Sequence, residues 1–145
     1  MVFFLSTAVS LALAFCLITA RAAPLETRQI GGIDCNIARF QIITDVVQTS
    51  SLLGKIDVSD PTTADAVSTA QSGVDSASDG IKTILGALFS GQAAPASARD
   101  QVGTGLNDAL TAMTGLNSTD SAVSDTISKI EEALAAGDKV VETCK

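Results

Sequence analysis

Residues 60–91 read DPTTADAVSTAQSGVDSASDGIKTILGALFSG, and the spacing within them decides the fold class. Val67, Ala70, Val74, Ala77, Ile81, Ile84 and Leu88 recur at intervals of three and four, which places them on one stripe of an α-helix. Asp60 suits the cap position, and Pro61 suits the first helical position, where its missing N–H is not needed. Gly91, with Pro95 beyond it, marks the other end. About thirty residues make a helix roughly 45 Å long. Gly73 and Gly80 sit inside it, each costing up to about 1 kcal/mol relative to Ala. They predict a kink or break around residues 78–80.

On either side the same period continues. From about 34 to 56, Ile37, Phe40, Ile43, Val47 and Leu53 form a helical face widened by Ile42, Val46 and Leu52, with Asp34 as its cap. Beyond Pro95, Ser97 is a candidate cap for a face of Val102, Leu106, Ala109, Leu110, Met113 and Leu116. A last segment follows Asn117-Ser118-Thr119-Asp120 and carries Val123, Ile127, Ile130, Leu134 and Val141, with Cys144 in phase. No hairpin signal interrupts this pattern. The expected architecture is all-α, an up-down bundle of four to five amphipathic helices with short connections. Asn117 opens an N-glycosylation sequon that falls in an inter-helix turn, where a glycan has room.

The 145-residue chain opens with a nearly continuous apolar run over residues 2–20, followed by Ala20-Arg21-Ala22, a small-x-small cleavage site. The run is long enough for a membrane anchor, but the adjacent cleavage site favours export. The expected organisation is a signal peptide (1–22), a flexible leader (23–33) and a helical-bundle domain (34–145). A polar end over 139–145 does not fit a GPI tail. The expectation is a secreted protein, extracellular or in the cell wall, and not an integral membrane protein. Cleavage removes Cys16 and leaves Cys35 and Cys144, which in an oxidising compartment have one possible pairing. Closing a loop of about 110 residues stabilises by roughly 4–5 kcal/mol in the chain-entropy treatment. In an antiparallel four-helix bundle these cysteines fall at the same end, so bridge and topology support each other.

Composition removes most kinds of chemistry. Nine Lys and Arg stand against sixteen Asp and Glu, giving a formal charge of −7. Such a balance does not suit nucleic acid, whose phosphates need clustered cations, nor electrostatic docking on anionic lipid. Without His, Tyr or Trp there is no imidazole acid–base or metal chemistry and no indole or phenol platform. No CxxC, GxSxG, HExxH or phosphate-binding glycine loop is present. Asp75 to Gly80 resembles the start of a calcium loop, but Ala77 holds its third position and Gly86 its twelfth, where a bidentate Glu belongs. The pairs Asp75/Asp79 and Glu131/Glu132 lie off the apolar stripes and read as solvated helix faces. No metal, cofactor or catalytic residue is expected, and the chain reads as a non-enzyme.

What remains is the apolar face. Ala and Gly let helices approach closely, or leave room for a guest. An acyl chain suits such a space, since burial gains about 0.8 kcal/mol per CH₂. A bundle of this kind can also open on an oil or wax surface, as interfacial helices do. The residues expected to line a ligand site are Phe40, Ile43, Val47, Val74, Ile81, Leu85, Leu88, Leu106, Leu110, Met113, Ile127 and Leu134. The leading expectation is a secreted protein that binds hydrophobic surfaces or fatty-acid-like lipids. The alternative is a secreted effector or cell-wall structural protein that acts through protein–protein contacts.

A signal peptide followed by an acidic, Ala/Ser/Thr/Val-rich helical domain of roughly 120 residues resembles the fungal hydrophobic surface-binding protein A family, which includes the cell wall galactomannoproteins. The likeness covers about 35–145. It is carried by Ile37-Ala38-Arg39-Phe40-Gln41-Ile42-Ile43, by the long helix over 67–88 and by the closing helix over 127–141. The resemblance implies a secreted or wall-associated, non-enzymatic protein that adsorbs to hydrophobic surfaces. It further implies recruitment of secreted lipolytic enzymes such as cutinases and, as in some relatives, a fatty acid held in a helical pocket.

Overall fold

The computed structural model describes residues 32–144. The expected signal peptide, and the leader up to residue 31, lie outside the described residues. Four helices follow in chain order: α1 (Ile33–Leu53), α2 (Pro61–Phe89), α3 (Ala96–Thr114) and α4 (Ser121–Thr143). Connections of seven, six and six residues join them, and no strand occurs among the described residues.

Local chemistry sets the helix ends. The Asp60 carboxylate accepts the Thr63 N–H at 2.8 Å, with Pro61 in the first turn. At the far end of α2, Gly91 adopts a φ of 71°, a left-handed conformation that favours glycine. Its N–H donates to the Leu88 carbonyl at 3.0 Å, and the Gln92 N–H donates to that of Ala87 at 2.8 Å. This pair closes the last turn. Asp120 caps α4 by accepting the Ala122 N–H at 2.9 Å. Two starts differ from expectation. Gly32, not Asp34, holds the α1 cap position, and Asp34 lies in the first turn, where its charge meets the positive end of the helix dipole. Pro95, not Ser97, precedes α3.

The helices alternate in direction and pack as a ring in which the contacts are unequal. α2 lies broadly on α3 and α1 on α4, while α1–α2 and α3–α4 touch lightly. Cys35 and Cys144 are bonded, with Cα atoms 5.0 Å apart, so the start of α1 is joined to the end of α4.

α2 runs unbroken through Gly73 and Gly80, so the helix does not break at residues 78–80. A Cβ on Gly73 would stand 2.4 Å from the Gly105 carbonyl oxygen, and one on Gly105 would stand 2.4 Å from that of Gly73. Near Gly80 the Ala98 carbonyl approaches in the same way. These glycines let two backbones touch, and the packing gained against α3 offsets their low helix propensity.

The core is aliphatic. Val67, Val74 and Ala77 of α2 meet Val102, Leu106 and Met113 of α3, with Ile42, Val46 and Leu53 of α1 and Val123, Ile130 and Ala133 of α4 closing the other side. The inward face of α1 differs from the expected one. Ile37, Phe40 and Val47 are 58%, 72% and 64% exposed, whereas Cys35, Ala38, Ile42, Asp45, Val46, Thr49 and Leu53 point inward. α1 carries apolar residues on more than one side, and the buried stripe is the one in phase with Cys35. Cys35 on that stripe is bonded to Cys144 at the end of α4. In α4 the core takes Thr126, Ala133 and Ala136 beside Val123 and Ile130, and leaves Val141 exposed.

One ion pair reaches into this interior. Lys129 Nζ lies 3.6 Å from Asp45 Oδ1 and also pairs with Glu132. The other Asp45 oxygen, Oδ2, is buried without a hydrogen-bond partner.

Candidate functional site: an apolar cleft at the disulfide end

α2 has 29 residues and α3 has 19, and Gly80 meets the backbone of Ala98 near the start of α3. Most of the last two turns of α2 therefore extend past the point where α3 begins. The connection after α2 folds back to cover them in part. At this end, between the α1–α4 pair and the α2–α3 pair, lies a half-open cleft of about 270 Å³.

Ile81, Ile84, Leu85 and Leu88 of α2 form one wall, with Ala93 and Ala94 from the connection. Ile42 and Ile43 of α1 face them, and Gly137, Val140, Val141 and Cys144 complete the α4 side. Val102 of α3 closes the interior end toward the core. Among the described residues two charged side chains stand on this lining, Arg39 of α1 and Arg99 of α3. Arg39 is half-buried and donates a long hydrogen bond to Asn36 Oδ1 at 3.4 Å, while Arg99 is exposed. Among the described residues the lining holds no Ser, Thr, Asp or Glu, and the Cys144 sulfur is tied in the disulfide. Such a wall can hold an apolar chain by excluding water and can attract a negative group.

Of the residues expected to line a site, Ile43, Ile81, Leu85 and Leu88 come together here. Val74, Leu106 and Met113 are essentially fully buried in the bundle core. Leu110, Ile127 and Leu134 are partly buried against that core, away from the cleft. Phe40 and Val47 lie on the outer surface of α1. Ile42, Ile84, Val102, Val140, Gly137 and the two arginines were not among the expected lining residues. The unequal helix lengths and the cysteine phase were the sequence signals that point to this end of the bundle.

The outer surface is itself apolar in places. Ile33, Ile37, Phe40 and Val47 leave an exposed stripe along α1, and Phe89 is 89% exposed at the end of α2. A second, more open depression between α2 and α3 is lined by Thr69, Ser72, Ser76, Asp108 and Thr111, and is mainly hydroxyl-bearing. Asn117 is exposed in the connection between α3 and α4. Among the described residues no group of three or more His, Cys, Asp or Glu is gathered as a metal site, and no helix is long and apolar enough to cross a membrane. No family model, curated protein or solved structure matches this chain.

Proposed function

We propose that this is a secreted, non-enzymatic protein that takes up fatty-acid-like chains and adheres to hydrophobic surfaces, in the manner of the hydrophobic surface-binding protein family it resembles. The observation that carries the reading is the half-open cleft walled by Ile, Leu, Val and Ala at the disulfide end. Its volume of about 270 Å³ falls just below the usual range of ~300–1,000 Å³ for ligand sites, which fits a single chain of medium length. The exposed stripe of α1 and Phe89 supports adhesion to oil, wax or another apolar surface, because it places large apolar groups in water without opening the bundle. A lipolytic enzyme brought to such a surface is the corresponding partner.

The test is titration of lipid-stripped protein with decanoate, read by displacement of a fluorescent apolar probe. Saturable one-to-one binding is expected. Ala94→Trp fills the cleft from the connection without entering the core, and weakens binding about tenfold or more, or ~1.4 kcal/mol. Adsorption to octyl-coated beads responds instead to Phe40→Ser with Phe89→Ser. Absence of saturable displacement, or binding indifferent to Ala94→Trp, rules out the cleft as the ligand site.

A further inference from the structure

We propose that the cleft is selective for single-chain amphiphiles with an anionic head, held between Arg39 and Arg99 while the apolar wall takes the chain. This rests on the cleft being the ligand site, and it adds the headgroup chemistry.

The chain has sixteen acidic residues and a formal charge of −7, yet among the described residues the charged side chains lining the cleft are both arginines. A surface drawn at random from this chain would carry carboxylates. The two arginines come from α1 and α3, which do not pack on each other, and both reach the lining of the cleft. Guanidinium offers a planar fork of donors that matches carboxylate and phosphate oxygens in bidentate fashion. Beside an apolar wall, screening by water is reduced and such a pair is stronger than on open surface. A neutral head gains nothing from these groups, and a cationic head is repelled by both. The shared ligand chemistry is therefore an anionic oxygen head on one aliphatic tail. A free fatty acid and a phosphate-headed lipid both supply it.

Four probes with the same ten-carbon tail test the assignment on the full, disulfide-bonded chain at neutral pH: decanoate, decyl phosphate, decanol and decyltrimethylammonium. The expected result is that the two anions displace a neutral fluorescent probe at concentrations about tenfold or more below decanol, a difference of ~1.4 kcal/mol, with the cation weakest. The tighter of the two anions identifies the source, free acid or phosphate-headed lipid. Arg99 is exposed, so Arg99→Gln keeps the fold. It should bring the decanoate-to-decanol ratio toward one while leaving decanol unchanged, and Arg99→Glu should move the cation ahead of the anions. Arg39→Lys retains the charge and should keep most of the preference, whereas Arg39→Gln should not. Equal binding of decanoate and decanol by the native protein, or a ratio unmoved by Arg99→Gln, overturns the headgroup assignment and leaves the cleft standing as an apolar site. Failure of all four probes overturns the ligand site itself.

Discussion

Replacing Gly105 by Ala adds one methyl group and tests how α2 and α3 are held together. That Cβ would lie 2.4 Å from the Gly73 carbonyl oxygen and 2.9 Å from the Ala77 nitrogen. Both are backbone atoms, so no rotamer change relieves the clash. Ordinary contact begins at 3.4 Å, and the helices must part by about 1 Å to accommodate a group of that size. A gap of ~0.5–1 Å forfeits a quarter to a half of each dispersion contact it opens, and here it opens contacts between Val74 and Ala77 on one side and Leu106 and Ala109 on the other. Overpacking of this kind costs about 1–3 kcal/mol or more. Alanine recovers up to about 1 kcal/mol of helix propensity, so the expected net loss is about 2 kcal/mol. Gly103 is the internal control. It lies two residues earlier on α3, and nothing stands within 4 Å of its Cβ position. Gly103→Ala should gain about 0.5–1 kcal/mol from propensity alone. Denaturant unfolding followed by circular dichroism, with the disulfide intact, should place the two variants on opposite sides of the native protein. The double variant Gly73→Ala/Gly105→Ala should cost less than the two single losses combined, because one separation relieves both clashes. If Gly105→Ala matches Gly103→Ala in stability, the helices do not depend on backbone contact and the reasoning fails.

Removing the disulfide by Cys35→Ala with Cys144→Ala releases a loop whose ends are 109 residues apart in sequence. It should lower stability by about 3–5 kcal/mol, read as a shift in denaturation midpoint that added reductant reproduces in the native protein and not in the variant. Asp45 keeps one buried, unpartnered oxygen, while Lys129 retains Glu132 as a partner. Asp45→Leu should therefore be neutral or stabilising by about 1–4 kcal/mol, and Lys129→Met should destabilise by leaving the carboxylate alone. A large loss on Asp45→Leu in urea unfolding would refute this. The Lys129 ammonium is held above its ordinary value first by its hydrogen bond to Glu132, with desolvation opposing and the charges of Glu132 and Asp45 adding to the rise. Its contribution is complete below the unfolded-chain value near ~10.4 and is lost as pH rises through the raised folded value. Asp57 is held below its ordinary value by the Ser59 hydroxyl and then the Ser59 N–H. Its contribution is present above ~3.9 and is lost as pH falls through the lowered folded value. With no histidine in the chain, the urea midpoint should be level between about pH 5 and 9, and a step near neutrality would contradict the assignment.

Local chemistry written along the chain narrowed the architecture to an up-down bundle of four or five helices and placed both ends of α2 and the start of α4. Asp60-Pro61, Gly91 and Asp120 act on their own neighbours, and the stripes of α2 and α3 have a single apolar side each. The disulfide was equally legible, because Cys35 and Cys144 are the two cysteines outside the expected signal peptide and an antiparallel bundle brings them to one end. The rotation of α1 was not, since Ile37, Phe40 and Val47 compete with Ala38, Ile42 and Val46 for the interior. The stripe that is buried is the one in phase with Cys35, which is bonded to the end of α4. Gly73 and Gly80 read as weak points in an isolated helix and became points of contact once α2 was paired with α3. The lining of the cleft belongs to tertiary structure: it forms where α2 outlasts α3, and it includes both Arg39 and Arg99, residues that no local pattern connects. Periodicity reports which side of a helix is apolar, whereas a cavity depends on where several such sides fail to meet.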